Sequence, residues 1–190
     1  MNTKKLILRF TLCIVVLFVI TPSVNAQNGP MSPMKEDTWL LNAGFGAGTP
    51  FFGNGSGFGP AAKFSFEKGM WEVGPGVITL GAEASFSYFW HTYGSSWHEN
   101  WFNFIVGARS AYHYGWDVKG LDTYAGVPLG FGLCMNSHDA NEGYHTPAPF
   151  YPYFGVFFGA SYFFTPELGI SGEFGYNSTY ANIGLVFKLD

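Results

Sequence analysis

The sequence predicts an all-β protein, an eight-stranded antiparallel up-and-down transmembrane β-barrel. Apolar and small polar residues alternate along most of the chain, which is the period of a strand with two different faces. Aromatic residues make up 20% of the 190 residues and charged residues only 12%, about half the charge of a typical soluble domain. Long and short connections also take turns between the alternating segments, as they do in outer-membrane barrels.

The N-terminus predicts export. Three basic residues precede the apolar run Leu12–Ile20, and a Val-Asn-Ala motif ends at Ala26, as in a secretory signal peptide. An uncleaved anchor helix is the alternative, but the run is short for a bilayer span and Pro22 interrupts it. We expect a signal peptide at 1–26, a short, poorly ordered periplasmic lead at 27–37, and the barrel at 38–190. The exported chain then keeps 6 basic and 13 acidic residues and one cysteine, Cys134, which excludes a disulfide framework.

Eight segments alternate with period 2, and their lengths are close to the roughly 9–11 residues with which a tilted strand crosses a bilayer. In chain order they are Trp39–Gly48, Ala61–Lys68, Ile78–His91, Phe102–Tyr114, Leu121–Leu133, Tyr153–Phe164, Leu168–Tyr176 and Tyr180–Leu189. Large apolar residues form one face of each segment, in the same order: Trp39, Leu41 and Phe45; Phe64 and Phe66; Ile78, Leu80, Phe86 and Trp90; Phe102, Phe104 and Val106; Val127, Leu129 and Phe131; Phe154, Val156 and Phe158; Leu168, Ile170 and Phe174; Ile183, Leu185 and Phe187. The opposite faces are mostly Gly, Ser, Asn and Thr.

The connections predict which end of the barrel faces outside. Three are long, namely Thr49–Pro60, Thr92–Trp101 and Cys134–Pro152, and three are tighter, namely Gly69–Val77, Gly115–Gly120 and Thr165–Glu167; Asn177–Thr179 is a short exception among the long ones. Outer-membrane barrels carry long loops outside and short turns in the periplasm. We therefore expect both chain ends to face the periplasm.

The bulky face is predicted to lie outside, in lipid. A lipocalin-like soluble barrel also alternates, with its apolar side inward, but faces of Gly, Ser and Asn would make a poor solvated surface. The aromatic residues exceed what an eight-stranded interior can hold, and several fall near segment ends, as an interfacial girdle would. These are Trp39, Trp71, Trp90, Tyr93, Trp101, Tyr114, Trp116, Tyr153, Tyr162 and Tyr176.

The predicted inward face holds few charges, three of each sign: Lys63, Glu67, Glu83, Arg109, Glu173 and Lys188. Charges inside a low-dielectric lumen need partners, so we expect an interior ion-pair network that fills and stiffens the barrel. A narrow gated ion path is the functional alternative. A permanent pore is not expected, because an eight-stranded interior is only wide enough for side chains.

Several stretches resemble a known family. They are Gly74-Pro75-Gly76 before Ile78-Thr79-Leu80-Gly81, Val106-Gly107-Ala108-Arg109, Tyr124-Ala125-Gly126-Val127, Gly159-Ala160, Glu173-Phe174-Gly175-Tyr176, and the end Ile183-Gly184-Leu185-Val186-Phe187-Lys188-Leu189. From Trp39 onward the chain is similar to the small eight-stranded outer-membrane β-barrel domain proteins, the OmpA-like and OmpX-like group, and especially to barrels common in Bacteroidota. The resemblance implies the fold and a bacterial outer-membrane location. Such barrels often place Arg in the sixth strand where Ser161 stands here, so Arg109 is expected to pair with Glu83 or Glu173.

No sharp catalytic or metal motif is present. His91, Ser95, Ser96, His98 and Glu99 gather around the second long connection, as in a nucleophile arrangement. A second group, His138, Asp139, Glu142 and His145, could offer metal ligands, but its spacing matches no known site. We expect solvated loop residues in both places, with no catalytic residue, metal or cofactor.

The function predicted is therefore that of a non-enzymatic outer-membrane barrel, a structural or accessory subunit of a larger outer-membrane complex. Its partners would be outer-membrane lipid and other outer-membrane proteins, docked through the aromatic loops His98–Phe104 and Tyr144–Phe154, because aromatic residues are rich in interface hot spots. The alternatives are a stand-alone envelope-integrity or adhesion barrel and a lipid-modifying enzyme. Nucleic acid is not an expected partner of so acidic a chain.

Overall fold

A computed structural model describes residues 33–52, 55–93, 97–138 and 150–189. Side chains are described in these ranges except at 49–52, 55–58, 91–93, 97–99 and 136–138, where only the backbone is. The predicted signal peptide and the first six residues of the predicted lead lie outside the described residues. No helix in the described ranges is long and apolar enough to span a membrane.

The described chain forms one closed antiparallel sheet. Its strands are β1 Trp39–Phe52, β2 Gly55–Val73, β3 Gly76–Tyr93, β4 Trp97–Gly115, β5 Leu121–His138, β6 Phe150–Phe154, β7 Val156–Phe163, β8 Leu168–Tyr176 and β9 Ala181–Leu189. Consecutive strands pair from β1 to β6 and from β7 to β9, β5 pairs with β7 as well as with β6, and β9 pairs with β1. Closure leaves no free sheet edge.

The barrel wall has eight positions although nine strands are named. β6 and β7 follow one another along β5 and are separated only at Gly155. β6 pairs with Leu129–Leu133, and β7 pairs with Leu121–Gly126. Together they occupy the sixth wall position, which confirms the predicted eight-stranded up-and-down barrel.

Two of the predicted long loops are wrong, because the strands continue through them. β1 and β2 remain paired as far as Phe52 opposite Gly55, and β3 and β4 as far as Tyr93 opposite Trp97. The side-chain pattern weakens in these stretches, but an antiparallel ladder is held by backbone hydrogen bonds that need no particular side chain. The barrel therefore carries tall hairpins where we expected loops.

The wall is much taller on one side than on the other. β2, β3, β4 and β5 have 18 or 19 residues, whereas β7, β8 and β9 have 8 or 9. A 19-residue strand at ~3.3 Å per residue and a tilt of roughly 40° rises about 45 Å along the barrel axis, against an apolar band of about 25 Å in outer-membrane barrels. The excess lies at the end that carries the tall hairpins, which we call the extended end.

The opposite end, the terminal end, carries the residues 33–38, the turns 74–75, 116–120 and 164–167, and the end of β9. Gly74 opens the tightest of these turns with φ at 59°, a left-handed conformation that glycine adopts without strain. Short turns lie on the periplasmic side of outer-membrane barrels. The terminal end therefore faces the periplasm.

The exterior is apolar. On β2, Phe64 and Phe66 are exposed while Ser65 between them is buried, and the same alternation runs around the barrel. Large apolar side chains on the surface far outnumber those inside. A closed barrel with this surface satisfies its backbone within the sheet and presents mainly apolar side chains to lipid. The chain is an outer-membrane barrel.

The predicted aromatic girdle holds in part. Trp71 and Trp116 are exposed at the terminal end, and Tyr162 and Tyr176 on the outer wall. Tyr153 and Trp101, however, are buried inside the lumen. Each lies an even number of residues from a neighbour whose side chain points into the lumen. Alternation along the strand therefore turns these two side chains inward, although both lie near strand ends.

The described part of the predicted lead is folded against the barrel. Met34 is fully buried at the terminal end with Leu40, Val77, Phe163 and Val186. The Asp37 N–H donates to the Gly69 carbonyl at 2.9 Å, and a side chain on Gly69 would collide with the Lys35 carbonyl. Residues 33–38 thus close the periplasmic mouth, where we expected a poorly ordered segment.

Lumen packing makes Gly159 irreplaceable by a larger residue. A Cβ at Gly159 would overlap the Tyr124 ring, which is itself held between His113 and Phe157. We expect Gly159→Val to lower the free energy of unfolding by about 1–3 kcal/mol through overpacking. Gly172→Val is the matched control, since the nearest atom to its Cβ would be 4.0 Å away. The stability of both variants is measured by urea unfolding in lipid vesicles, with the folded fraction read from the gel migration of unboiled samples. Equal losses of stability in the two variants would contradict this packing.

Candidate functional site in the barrel lumen

Arg109 stands at the centre of the lumen and contacts three glutamates from three strands. Its Nε lies 2.9 Å from Glu67 Oε1, its Nη1 3.1 Å from Glu83 Oε2, and its Nη2 3.0 Å from Glu173 Oε2. All four side chains are buried. One guanidinium on β4 therefore links β2, β3 and β8 across the barrel.

Lys63 completes the centre of this cluster. Its ammonium group lies 3.1 Å from Glu83 Oε2 and donates to Glu173 Oε1. The Phe157 ring lies against both cations, with the Arg109 Cζ 4.1 Å and the Lys63 Nζ 5.4 Å from the ring centroid. Phe157 points inward like Gly155 and Gly159. The same alternation in the sequence could have identified Phe157 as a lumen residue.

The cluster extends toward the terminal end through two residues that we did not count among the lumen charges. His113 Nδ1 lies 2.7 Å from Asp122 Oδ2, and His113 Nε2 lies 3.5 Å from Glu67 Oε2. The Thr79 hydroxyl donates to the same Glu67 oxygen at 2.6 Å. Asp122 shares its face with Tyr124, so alternation gave a signal that we did not use because Asp122 lies at a strand end.

Toward the extended end, the cluster is bound to the connection between β8 and β9. The Tyr153 hydroxyl contacts Glu83 and the Asn177 amide oxygen. Asn177 Nδ2 donates to Glu173 at 2.7 Å, and the Ser178 N–H donates to the Tyr153 hydroxyl at 3.1 Å. The residues 177–179 are buried, so this short connection folds into the lumen.

Apolar layers lie on both sides of the charged one. Met34 and its neighbours fill the terminal end, and Phe89, Trp101 and Cys134 fill the lumen beyond Tyr153, with Tyr151 against them. Three layers of side chains thus follow one another along the axis of the described barrel.

Lys188 takes no part in the ion pairs that define the cluster. It is partly buried near the end of β9, opposite Leu40 on β1. With Asp122 added, the cluster has four carboxylates against the two permanent cations Lys63 and Arg109, and His113 as a third when protonated. The cluster therefore has more carboxylates than permanent cations, and not the three charges of each sign that we expected.

The two groups considered for chemistry fall largely outside the described side chains. The backbone register sets His91 opposite Glu99 and Thr92 opposite His98. Ser95, Ser96, Asp139, Glu142 and His145 lie outside the described residues. Among the side chains that are described, no three or more of His, Cys, Asp and Glu are arranged to hold a metal ion.

Removing the central cation tests the cluster. We expect Arg109→Leu to destabilise the barrel by about 3–5 kcal/mol, because it leaves buried glutamates with too few cations. The control is Lys68→Gln, which breaks a surface ion pair of 2.7 Å to the exposed Asp37 and should cost under ~1 kcal/mol. Unfolding by urea in vesicles measures both. If Arg109→Leu were as stable as Lys68→Gln, the cluster would not support the wall.

No family model matches the sequence, and no curated protein does either. Among solved structures, Ail, the attachment invasion locus protein of Yersinia pestis, is similar at 10% identity and a TM-score of 0.48 in its complex with the heparin analogue sucrose octasulfate, covering 82% of this chain and 100% of that chain. A second structure of Ail gives 11% and 0.45 over the same shares. Neisserial surface protein A gives 14% and 0.49, covering 81% of this chain and 97% of its own. At these identities and TM-scores, nothing about ligand or partner carries across to this chain.

Proposed function

We propose that the protein is a non-enzymatic structural barrel that serves as an accessory subunit of a larger outer-membrane assembly. The observation that carries this proposal is a lumen filled with paired charges between two apolar layers, below a wall that stands taller than the membrane requires. The finer likeness to OmpA-like, OmpX-like and Bacteroidota barrels remains a prediction.

The filled lumen favours a structural role over transport. An eight-stranded interior is only wide enough for side chains. Here Arg109, Lys63 and their glutamates occupy its middle, and residues 33–38 and 177–179 fold across it from either side. A solute crossing the described barrel would have to break several buried ion pairs at once, each of them costly to break.

The tall wall supplies a surface for a partner. At the extended end, outward-facing apolar side chains continue above the level at which β8 and β9 end: Trp90, Phe102, Met135 and Phe150 are 61%, 37%, 58% and 56% exposed. Exposed apolar patches of this kind mark interaction sites, and aromatic residues and Met are enriched in interfaces. The segments 98–104 and 150–154, which we expected to be aromatic loops, are strands of this wall.

Site-specific crosslinking tests the accessory role. A photo-crosslinking amino acid at the position of Trp90 or Phe150 should capture a protein neighbour in intact cells. The same residue at Phe174 or Ile183, which are 62% and 67% exposed on the short side, should capture lipid alone. Native mass measurement after gentle extraction should likewise give a species heavier than one barrel.

Lipid adducts alone at Trp90, together with a lone barrel after gentle extraction, would reject the subunit role. That outcome would favour the stand-alone integrity or adhesion barrel.

The lipid-modifying alternative has its own test. The candidate residues are those of the second hairpin, where the backbone of His91 lies opposite that of Glu99 and the backbone of His98 opposite that of Thr92. We expect His91→Ala and His98→Ala to leave lipid A and phospholipid profiles as in the wild type. A profile that matches the deletion strain, where deletion alters it, would make the protein an enzyme.

A further inference from the structure

Half of the cations that follow the predicted signal peptide converge on one groove. Of six Lys and Arg residues, Lys63 and Arg109 lie in the lumen cluster and Lys68 pairs with Asp37. The other three, Lys35, Lys119 and Lys188, line a groove of about 700 Å³ at the terminal end. In a chain where acids outnumber bases, this concentration of positive charge is the exception.

The groove has a charged part and an apolar part. Besides the lysines, its lining includes Tyr162, 48% exposed on the lipid-facing wall, and Phe164, 55% exposed at the start of the turn that follows it. None of the described residues that line it is Asp or Glu. The groove therefore runs from the lipid-facing surface over the periplasmic rim toward the mouth of the barrel.

The groove is held in shape by the fold. The Thr165 hydroxyl accepts a hydrogen bond from the Leu168 N–H at 2.9 Å, and the Lys188 N–H donates to the Glu167 carbonyl at 2.7 Å. These bonds fix the turn 164–167 against β9. Burial of Met34 fixes the position of Lys35 beside it. A ligand would meet a preformed site, which lowers the entropy cost of binding.

We propose that this groove binds one anionic phospholipid of the periplasmic leaflet, with its phosphate between Lys35 and Lys119 and its acyl chains along Tyr162 and Phe164. Basic pockets beside apolar surface at a membrane face recognise lipid headgroups. Lysine suits the task because its stem covers apolar surface while its ammonium group reaches the interface. The inference rests on the placement of the barrel in the membrane and is independent of the accessory role.

The test measures lipids retained by the folded full chain. Native mass spectrometry of the wild type with phosphatidylglycerol should show one retained lipid, and phosphatidylcholine at equal concentration should be retained several-fold less. Lys35→Gln with Lys119→Gln should weaken phosphatidylglycerol retention by about fivefold per lysine. Both lysines are exposed, so the double variant should keep the heat-modifiable migration of a folded barrel. Lys68→Gln, at the same end but outside the groove, should retain lipid like the wild type.

Two further measurements distinguish a lipid phosphate from free inorganic phosphate as the ligand. Phe164→Ser should weaken phosphatidylglycerol binding, and inorganic phosphate at millimolar concentration should not displace the lipid. Full displacement by inorganic phosphate with no effect of Phe164→Ser would replace the lipid by a free anion. Equal lipid retention by the double variant and the wild type, or equal retention of both lipids, would overturn the site.

Discussion

The structure depends on the pairing of Arg109 with three glutamates inside a barrel whose outside faces lipid. Contacts between the outer side chains and lipid do little to select one strand register over another, because lipid is as apolar as the side chains that it surrounds. Side chains inside the lumen therefore have to select the correct strand register. Ion pairs that join β4 to β2, β3 and β8 exist only when the wall closes with the correct register. A buried charge left without its partner is penalised heavily, so closure and pairing enforce each other.

Other features follow from this interior. The cluster needs a dry environment, which the apolar layers around Met34 and Trp101 provide. It also needs room for large side chains in a narrow lumen, and small residues across the wall provide that room. Gly159 beside the Tyr124 ring is one such case. The inward turn of residues 177–179 adds to the same cluster, because the Asn177 amide contacts both the Tyr153 hydroxyl and the Glu173 carboxylate.

Alternation predicts the face on which a side chain lies, and here it predicted the barrel and the inward direction of Lys63, Glu67, Glu83, Arg109 and Glu173. It does not predict how far along the barrel axis a residue lies, which we call its height. The height of a residue depends on the register between neighbouring strands, which long-range pairing decides. Lys188 faces inward by alternation, but it lies near the strand end at the periplasmic rim, below the ion pairs. Asp122 also lies at a strand end, yet the offset around the barrel brings it within reach of His113. Strand length escaped prediction for a related reason, since backbone pairing extends the hairpins where the side-chain pattern fades.

The distribution of charge gives each cation a distinct physical setting. Lys63 and Arg109 have exchanged water for carboxylates, which makes them part of the frame and removes them from any outside ligand. Lys68 lies over the Trp39 ring, 5.3 Å from its centroid, and pairs with the exposed Asp37. Lys35, Lys119 and Lys188 line the groove at the periplasmic rim. The low charge count of the chain thus follows from its setting, because most of its surface touches lipid. Each of its few cations stands where a negative group is close by or can approach.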